Sequence, residues 1–232
     1  MRELLCAGFA ALGVDAPEEA YDRFETYFEY LTETNKVMNL TAITEKTEVA
    51  RLHFLDSAAV LCCADVSGKR VIDVGTGAGF PGLPVKILRP DAELILLDSL
   101  QKRIGFLSET CNKLGLSGVT SIHARAEEAP ELRETCDYAV SRAVARLNLL
   151  CELCLPFVKV GGAFLALKGP EPQEEMDEAR NAVGQLGGSF AEPFFYEIPG
   201  TDVRHSIVIV RKVKPTPKQF PRRFAKIQKS PL

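Results

Sequence analysis

The 232-residue sequence has no apolar run long enough to cross a membrane. A spanning helix needs about 18 or more consecutive apolar residues, whereas the opening run from Leu4 to Val14 is shorter and is followed by the acidic residues Asp15, Glu18 and Glu19. This opening also lacks a small-residue cleavage pattern, so we expect no secretory signal. The sequence therefore predicts a cytoplasmic protein without a membrane partner.

Cysteine pairs with the spacing of metal ligands are also scarce. The seven cysteines are an odd number, and most of them lie within apolar runs, as buried reduced thiols do. The one C-x-x-C pair, Cys151 with Cys154, has no second pair or nearby histidine that would complete a zinc site. We therefore expect neither a disulfide framework nor a metal site.

The composition is that of a globular protein with unevenly distributed charge. Hydrophobic residues make up 46% and charged residues 25% of the chain, which excludes a disordered or fibrous protein. Residues 211–232 contain eight basic residues and no acidic one, whereas residues 1–210 hold 20 basic against 31 acidic residues, a net charge of −11. Such a block is usually a solvated, mobile end. Its prolines favour an extended backbone, and Phe220 and Phe224 among the arginines favour contact with RNA.

Two periodicities divide the chain into three predicted parts. Residues 1–66 are predicted to form an N-terminal helical cap on the domain. One helix has Asp15 as its N-cap and Pro17 just inside its start, and a second covers Glu45–Cys62. Residues 67–213 alternate short apolar runs with helical patterns, which predicts an α/β domain with a mostly parallel seven-stranded sheet. Residues 214–232 form the basic tail. The predicted strands are Arg70–Val74, Glu93–Asp98, Gly118–His123, Asp137–Ser141, Gly162–Lys168, Phe194–Ile198 and Ser206–Val213.

The strongest motif follows the first predicted strand, where Val71–Gly82 reads VIDVGTGAGFPG. Glycines at 75, 77 and 79 let the backbone turn tightly and leave room for a ligand where side chains would collide. Together with Gly82 they exceed what packing alone requires. In an open parallel sheet, this turn lies at the carboxyl edge of the strands, where ligands bind. The motif therefore predicts a site for a nucleotide-like ligand.

Two ligands are consistent with that turn. Gly77–Gly82 satisfies the dinucleotide pattern G-x-G-x-x-G, and Asp98 at the end of the second strand suits the ribose of NAD as well as that of S-adenosylmethionine. Against NAD, Asp73 would meet a ligand ammonium, Pro81 removes an amide donor, and Glu127 adds another acid. An acid-lined pocket favours the cationic S-adenosylmethionine.

Several short motifs follow one another from residue 39 to the C-terminus. They are Asn39–Thr41 (NLT), His53–Ser57 (HFLDS), Asp73–Gly82, Leu97–Arg103 (LDSLQKR), Ala126–Glu127, Ser141–Ala143 (SRA), Leu167–Gly169 (LKG) and Phe220–Arg223 (FPRR). In this order they resemble the bacterial small-subunit ribosomal RNA methyltransferase G family, also called glucose-inhibited division protein B. The tail departs from the family pattern, which has Tyr-Pro-Arg and a later Pro-Gly pair where this chain has Phe220 and Phe224-Ala225.

The resemblance implies a Rossmann-like class I methyltransferase that uses S-adenosylmethionine to methylate N7 of a guanine in the decoding region of 16S rRNA. Its partner would be 16S rRNA or the small ribosomal subunit. Arg142 would lie between the cofactor and the substrate and contact both sides. The resemblance further implies that Gly75, Gly77 and Phe80 contact the cofactor, that Asp98 and Ser99 hold its ribose, and that Ala126 and Glu127 flank its adenine. The acid-lined pocket adds Asp73 as a contact for the ligand ammonium.

The chemistry of guanine N7 agrees with the motifs that the chain lacks. N7 has an in-plane lone pair and no proton to lose, so its methylation needs positioning and no general base. The sequence lacks the Asn/Asp-Pro-Pro-Tyr/Phe motif of exocyclic amine methylation and a Pro-Cys nucleophile. We therefore expect no conventional catalytic residue, with Arg142 as the positioning candidate.

Four further residues are candidates for RNA binding. Lys168 ends the fifth predicted strand at the ligand edge, and Arg222 and Arg223 lie in the basic tail. His53, near Asp56, fits an RNA contact and a structural pair equally well. Two alternative functions stay open on the residues alone: an NAD-dependent oxidoreductase, and a non-catalytic RNA-binding ribosome assembly factor.

Overall fold

The computed structural model describes residues 1–142 and 145–232. Within them, eight strands form one sheet in the order β3-β2-β1-β4-β5-β8-β6, and β7 also pairs with β8. Strands β1 to β5 pair in parallel, whereas β8 is antiparallel to β5, β6 and β7. The strands are β1 (Arg70–Val74), β2 (Glu93–Asp98), β3 (Val119–His123), β4 (Cys136–Arg142), β5 (Val158–Lys168), β6 (Gly188–Phe190), β7 (Phe194–Glu197) and β8 (Arg204–Lys212).

The α/β prediction is confirmed, with one additional short strand. All seven predicted strands are present, and the eighth is the three-residue β6. Strands β6 and β7 pair with successive parts of β8, at Val210–Lys212 and Arg204–Ile207. Because β6 and β7 follow one another along the same edge of β8, the sheet is at most seven strands wide.

Helices cover both faces of the sheet because the strand side chains alternate between two apolar clusters. Val71 and Leu96 belong to the cluster that contains the N-terminal helices, whereas Ile72 and Leu97 belong to the cluster on the opposite face. The helices of the described residues are α1 (Arg2–Leu12), α2 (Glu18–Met38), α3 (Lys46–Val49), α4 (Asp56–Ala58), α5 (Gly82–Leu88), α6 (Gln101–Lys113), α7 (Leu147–Cys154), α8 (Gln173–Gln185) and α9 (Phe224–Lys229).

The N-terminal helices pack directly on the sheet domain and share its core. Phe24 and Tyr27 of α2 are fully buried in the same cluster as the residues of α5 and α6. The prediction of Asp15 as the N-cap of this helix is wrong, because the N-cap residue of α2 is Pro17. The predicted helix over Glu45–Cys62 is a continuous helical stretch in which a π-helical turn, Ala50–Leu55, separates α3 from α4.

The basic tail is folded onto the domain. Phe220 and Ile227 are 5% and 0% exposed, in the cluster that also contains residues of α7 and α8. Arg133 donates hydrogen bonds to the main-chain oxygens of Thr216, Pro217 and Phe220. The expectation of a mobile, extended end is therefore wrong, because apolar side chains and a buried ion pair hold the tail and part of it is helical.

The described residues contain no helix that is both long and apolar enough to span a membrane. Nor do they contain a group of histidine, cysteine, aspartate or glutamate side chains arranged to hold a metal ion. All seven cysteines are free, and Cys151 and Cys154 are fully buried.

Candidate functional site

A cavity of about 490 Å³ opens at the carboxyl edge of the sheet, beside the ends of β1, β2 and β4. Its walls come from the glycine turn, the segments that follow β2 and β3, the π-helical turn and the tail. This volume is typical of sites for small ligands. The lining residues are Leu40, Thr41, His53, Val74, Gly75, Thr76, Gly77, Ala78, Phe80, Leu97, Asp98, Ser99, Arg103, Ala124, Arg125, Ala126, Glu127, Arg142, Leu153 and Phe224.

Two glycines of the turn are required for different reasons. Gly77 and Gly79 both have positive φ, 61° and 103°. A Cβ at Gly77 would meet no atom closer than the main-chain oxygen of Gly75, at 4.0 Å, whereas one at Gly79 would lie 2.5 Å from Leu83 Cδ1 and 2.6 Å from Tyr27 Oη. Packing therefore requires Gly79, contrary to the interpretation from sequence. Gly77 leaves open space of the kind that a ligand needs.

Asp73 lies behind the glycine turn and does not line the cavity. Its side chain is fully buried, and its Oδ2 accepts hydrogen bonds from Thr76 Oγ1 and Gly82 N, both at 2.8 Å. Burial raises the pKa of this carboxyl to about 7, although the two hydrogen bonds lower it. These two hydrogen bonds fix the shape of the turn. The other carboxylate oxygen, Oδ1, is buried and has no hydrogen-bond partner among the described residues, so the contact of Asp73 with a ligand ammonium stays a prediction.

Asp98 provides acceptor oxygens at the end of β2. The residue is 3% exposed, and its carboxylate accepts hydrogen bonds from Gly77 N at 3.0 Å and Leu100 N at 2.9 Å. Arg103 of α6 lies 3.3 Å from the same carboxylate. Ser99, the next residue, also lines the cavity. A carboxylate at this edge is the group that binds ribose hydroxyls in nucleotide-binding α/β folds.

Ala126 and Glu127 form the opposite wall, in a 3₁₀ turn after β3. The Oε1 of Glu127 accepts a hydrogen bond from the main-chain N–H of Phe224 at 3.2 Å. The guanidinium carbon of Arg125 lies 5.8 Å from the centre of the Phe224 ring. The C-terminal tail therefore reaches the side of the cavity where the resemblance implies adenine binding.

Arg142 lines the cavity with a guanidinium that protein groups hold on several sides. Its Nη1 donates to Leu52 O at 3.0 Å and to Asp56 Oδ2 at 2.9 Å. The guanidinium carbon also lies 4.9 Å from the centre of the Phe80 ring. The side chain is 16% exposed, and the residue lines the cavity.

His53 is a neutral member of this group. Its ring stacks on Phe80 with a centroid separation of 4.5 Å, and burial and the charge of Arg142 lower its pKa to about 4. Its Nδ1 lies 3.2 Å from Arg142 Nη2 and 3.0 Å from the main-chain oxygen of Leu52, and its Nε2 lies 2.8 Å from Thr41 Oγ1. Both ring nitrogens are engaged, and neither is available as a general base.

Asp56 holds Arg142 from within the protein. The residue is 1% exposed, and its Oδ1 accepts hydrogen bonds from Tyr196 Oη and His205 Nδ1, both at 2.7 Å. Although burial raises it, the hydrogen bond from His205 and the charge of Arg142 bring the pKa of Asp56 below its usual value. This network connects the N-terminal helices to β4, β7 and β8.

Two of the predicted RNA-binding cations are engaged elsewhere in the fold. Lys168 Nζ donates to Ala145 O at 2.9 Å and to Glu175 Oε2 at 2.7 Å. Arg222 pairs with the fully buried Glu152 and is 15% exposed. These contacts give both side chains structural roles that the sequence did not predict. Arg223, the third cation, is exposed.

The residues that sequence reasoning missed belong to two groups. Thr41 and Arg103 lie inside motifs that carry the resemblance, so a closer reading of those motifs would have included them. Arg125, Leu153 and Phe224 lie outside those motifs, and Phe224 lines the cavity because the tail folds against α7 and the turn after β3. Ala143, the last residue of the Ser-Arg-Ala motif, lies outside the described residues.

The wall groups suit a nucleoside ligand and a reaction without proton abstraction. Gly77 leaves space over the backbone, Asp98 offers carboxylate oxygens, and Phe80 offers an aromatic surface beside Arg142. These groups fit S-adenosylmethionine. Of the described residues that line the cavity, His53 is the one imidazole, and both of its nitrogens are occupied. The arrangement can therefore hold and orient reactants.

Comparison with protein families identifies the sequences that this chain resembles. The sequence model of rRNA small subunit methyltransferase G matches residues 20–192. Ribosomal RNA small subunit methyltransferase G of Clostridium perfringens strain 13 is 50% identical over 226 residues, covering 96% of this chain and 95% of the relative. The protein of the same name from Clostridium novyi is 48% identical, covering 93% and 90%.

Comparison with solved structures identifies the fold. The structure of M. jannaschii TYW2 in complex with AdoMet aligns with a TM-score of 0.53 at 14% identity, over 65% of this chain and 71% of that chain. A SAM-dependent methyltransferase from Aquifex aeolicus aligns with a TM-score of 0.53 at 20% identity, over 72% and 93%. At these identities the likeness concerns the fold alone, which is that of class I methyltransferases.

Proposed function

Because the chain belongs to the rRNA small subunit methyltransferase G family, we propose that it methylates N7 of a guanine in the decoding region of 16S rRNA. As a member, it is an rRNA methyltransferase that uses S-adenosylmethionine. Membership sets aside the NAD-dependent oxidoreductase and the non-catalytic assembly factor. The atom methylated and the position in the RNA are the proposed parts.

One observation carries the choice of a nitrogen that has no proton. The His53 ring beside the cavity is neutral, and both of its nitrogens have partners. Methylation of an exocyclic amine or a ring N–H needs a group that removes or accepts a proton. Guanine N7 needs none, since its lone pair already lies in the plane of the base. The two carboxylates that line the cavity, Asp98 and Glu127, are assigned to the ribose and adenine ends of the cofactor. The substrate side beside Arg142 is therefore suited to N7, which needs positioning and no base.

The chain's residues divide the work between the two sides of the cavity. When bound, S-adenosylmethionine supplies an electrophilic methyl group. Gly77 would leave room for the cofactor over the main chain, and Asp98 would bind the ribose. Ala126 and Glu127 would lie beside the adenine. The first two assignments rest on the open space at Gly77 and the position of the carboxylate at the end of β2, and the third rests on the family motif.

Arg142 would orient the target guanine on the substrate side. Its guanidinium is held by Asp56 and Leu52 and lies against Phe80, so it cannot swing away when a base enters. A planar cation in a fixed orientation can stack on a base or bind a phosphate. Fixed orientation is the contribution that a reaction controlled by positioning needs.

The test is a methylation assay with two substrates. The purified protein would be incubated with isotopically labelled S-adenosylmethionine and either naked 16S rRNA or small ribosomal subunits from a strain that lacks the gene. Nucleosides would then be identified by mass spectrometry and the site located by cleavage at 7-methylguanosine. We expect one 7-methylguanosine in the decoding region of at least one substrate. Label in a different nucleoside, or none in either substrate, would contradict the proposal.

A further inference from the structure

Phe224 occupies a position that neither the glycine turn nor the family motifs account for. It is the first residue of α9, 97 residues after Glu127, to which its main-chain N–H donates. Its side chain is partly buried against the cluster around α7, and the residue also lines the cavity. The aromatic ring therefore lies at the junction of the tail, the hydrophobic core and the cavity.

Contacts on both sides of Phe224 hold the tail in this position. Two residues before it, Arg222 donates to Glu152 through its main-chain N, Nε and Nη2, at 2.9, 2.8 and 2.6 Å. After it, Ile227 is fully buried. Arg125, on the cavity wall, faces the Phe224 ring. An aromatic side chain fixed in this way is a preformed surface, so it loses little conformational entropy when a ligand binds.

We propose that Phe224 is a cofactor-binding residue that forms the wall of the nucleoside end of the cavity. Its neighbours there are Arg125 and Glu127, on the side opposite the glycine turn. A flat apolar ring beside a carboxylate is suited to a purine, which presents an aromatic face and polar edges. The inference rests on the proposed binding of S-adenosylmethionine in this cavity, and it makes the tail part of the cofactor site.

Calorimetry with two ligands tests this assignment. S-adenosylhomocysteine contains the whole cofactor except the methyl group, whereas 5′-methylthioadenosine keeps the nucleoside and lacks the amino acid. Phe224→Ala should weaken the binding of both ligands by about 10-fold, and Phe224→Leu, which keeps apolar packing but loses the flat ring, by about 3-fold. Lys226→Ala is the matched control, because Lys226 is exposed on the same helix and does not line the cavity. It should bind both ligands as the wild type does.

The outcomes separate this proposal from the assignment of the cofactor. If the wild type binds S-adenosylhomocysteine and both Phe224 variants bind it as tightly as the wild type does, Phe224 only packs the tail and the inference is wrong. If the loss affects S-adenosylhomocysteine but not 5′-methylthioadenosine, Phe224 is not at the nucleoside end. If Phe224→Ala does not fold, as a melting curve without ligand would reveal, Phe224→Leu alone decides. A wild type that binds neither ligand would instead contradict the cofactor site itself.

Discussion

Replacing Arg222 by alanine distinguishes the structural role of this residue from the RNA-binding role that the sequence predicted. Glu152 lies on α7 and is fully buried. Its carboxylate accepts hydrogen bonds from Arg222 Nε and Nη2 at 2.8 and 2.6 Å, and from the main-chain N of the same residue at 2.9 Å. Arg222→Ala keeps the main-chain contact and removes the charge that balances the carboxylate.

The expected loss follows from the burial of the carboxylate. Removing one partner of a buried ion pair costs about 3–5 kcal/mol, because the remaining charge has lost its counterion. The Arg222 side chain is 15% exposed, so water will reach the site of the deleted group and the loss should lie near about 3 kcal/mol. For a chain of this size each kcal/mol corresponds to roughly 2–4 °C in Tm. We therefore expect a decrease of about 6–12 °C.

Equilibrium unfolding in urea, followed by circular dichroism because the chain has no tryptophan, measures the difference. The double variant Glu152→Leu/Arg222→Met is the control. It leaves no unpaired charge and should recover most of the stability, since apolar residues of similar volume often replace such pairs without loss. A loss below about 1 kcal/mol for Arg222→Ala is typical of a solvated surface pair. That result, together with weakened RNA binding, would refute the structural role.

Four further predictions concern the cavity and its surroundings. Gly77→Val should abolish binding of S-adenosylhomocysteine in calorimetry while the circular dichroism spectrum is retained, because the side chain would fill the open space. As the pH falls from about 6.5 to 4, unfolded His53 takes up a proton before the folded residue, whose pKa is about 4, so stability should fall by at most about 3 kcal/mol; His53→Gln should lack this share of the pH slope in urea unfolding. Arg142→Ala should lower turnover at saturating RNA in single-turnover assays, and a change in RNA affinity alone would contradict its positioning role. Arg223→Gln should reduce the salt dependence of RNA binding in filter assays by about one ion, and an unchanged slope would count against a phosphate contact.

The central strands, and the edge of the sheet at which the ligand binds, could be predicted from the sequence. Parallel strands that are buried on both faces appear as continuous apolar runs, so Arg70–Val74 and Glu93–Asp98 were recognisable without a structure. The glycine turn that follows the first run and Asp98 at the end of the second both lie on the cavity wall. Their place follows from connectivity, because the carboxyl ends of parallel strands meet at one edge of the sheet.

The direction in which a polar side chain points was decided by tertiary structure alone. Asp73 precedes the glycine turn as a cofactor contact would, yet it is buried behind the turn and bonded to Gly82. Arg142 lies at the predicted edge, but its partners Leu52 and Asp56 come from a helical segment 86 or more residues away in the sequence. Neither arrangement leaves a periodic pattern in the sequence.

The tail shows most clearly which properties the sequence determined and which the tertiary structure determined. Its basic residues and prolines predicted a solvated arm, because local composition carries no information about a distant counter-charge. Glu152, 70 residues earlier in the chain, draws Arg222 into the fold. Phe220 and Ile227 are buried beside it, and Phe224 is thereby placed on the cavity wall. Composition determined the charge of this segment, whereas packing against α7 determined which of its side chains face solvent, core or cavity.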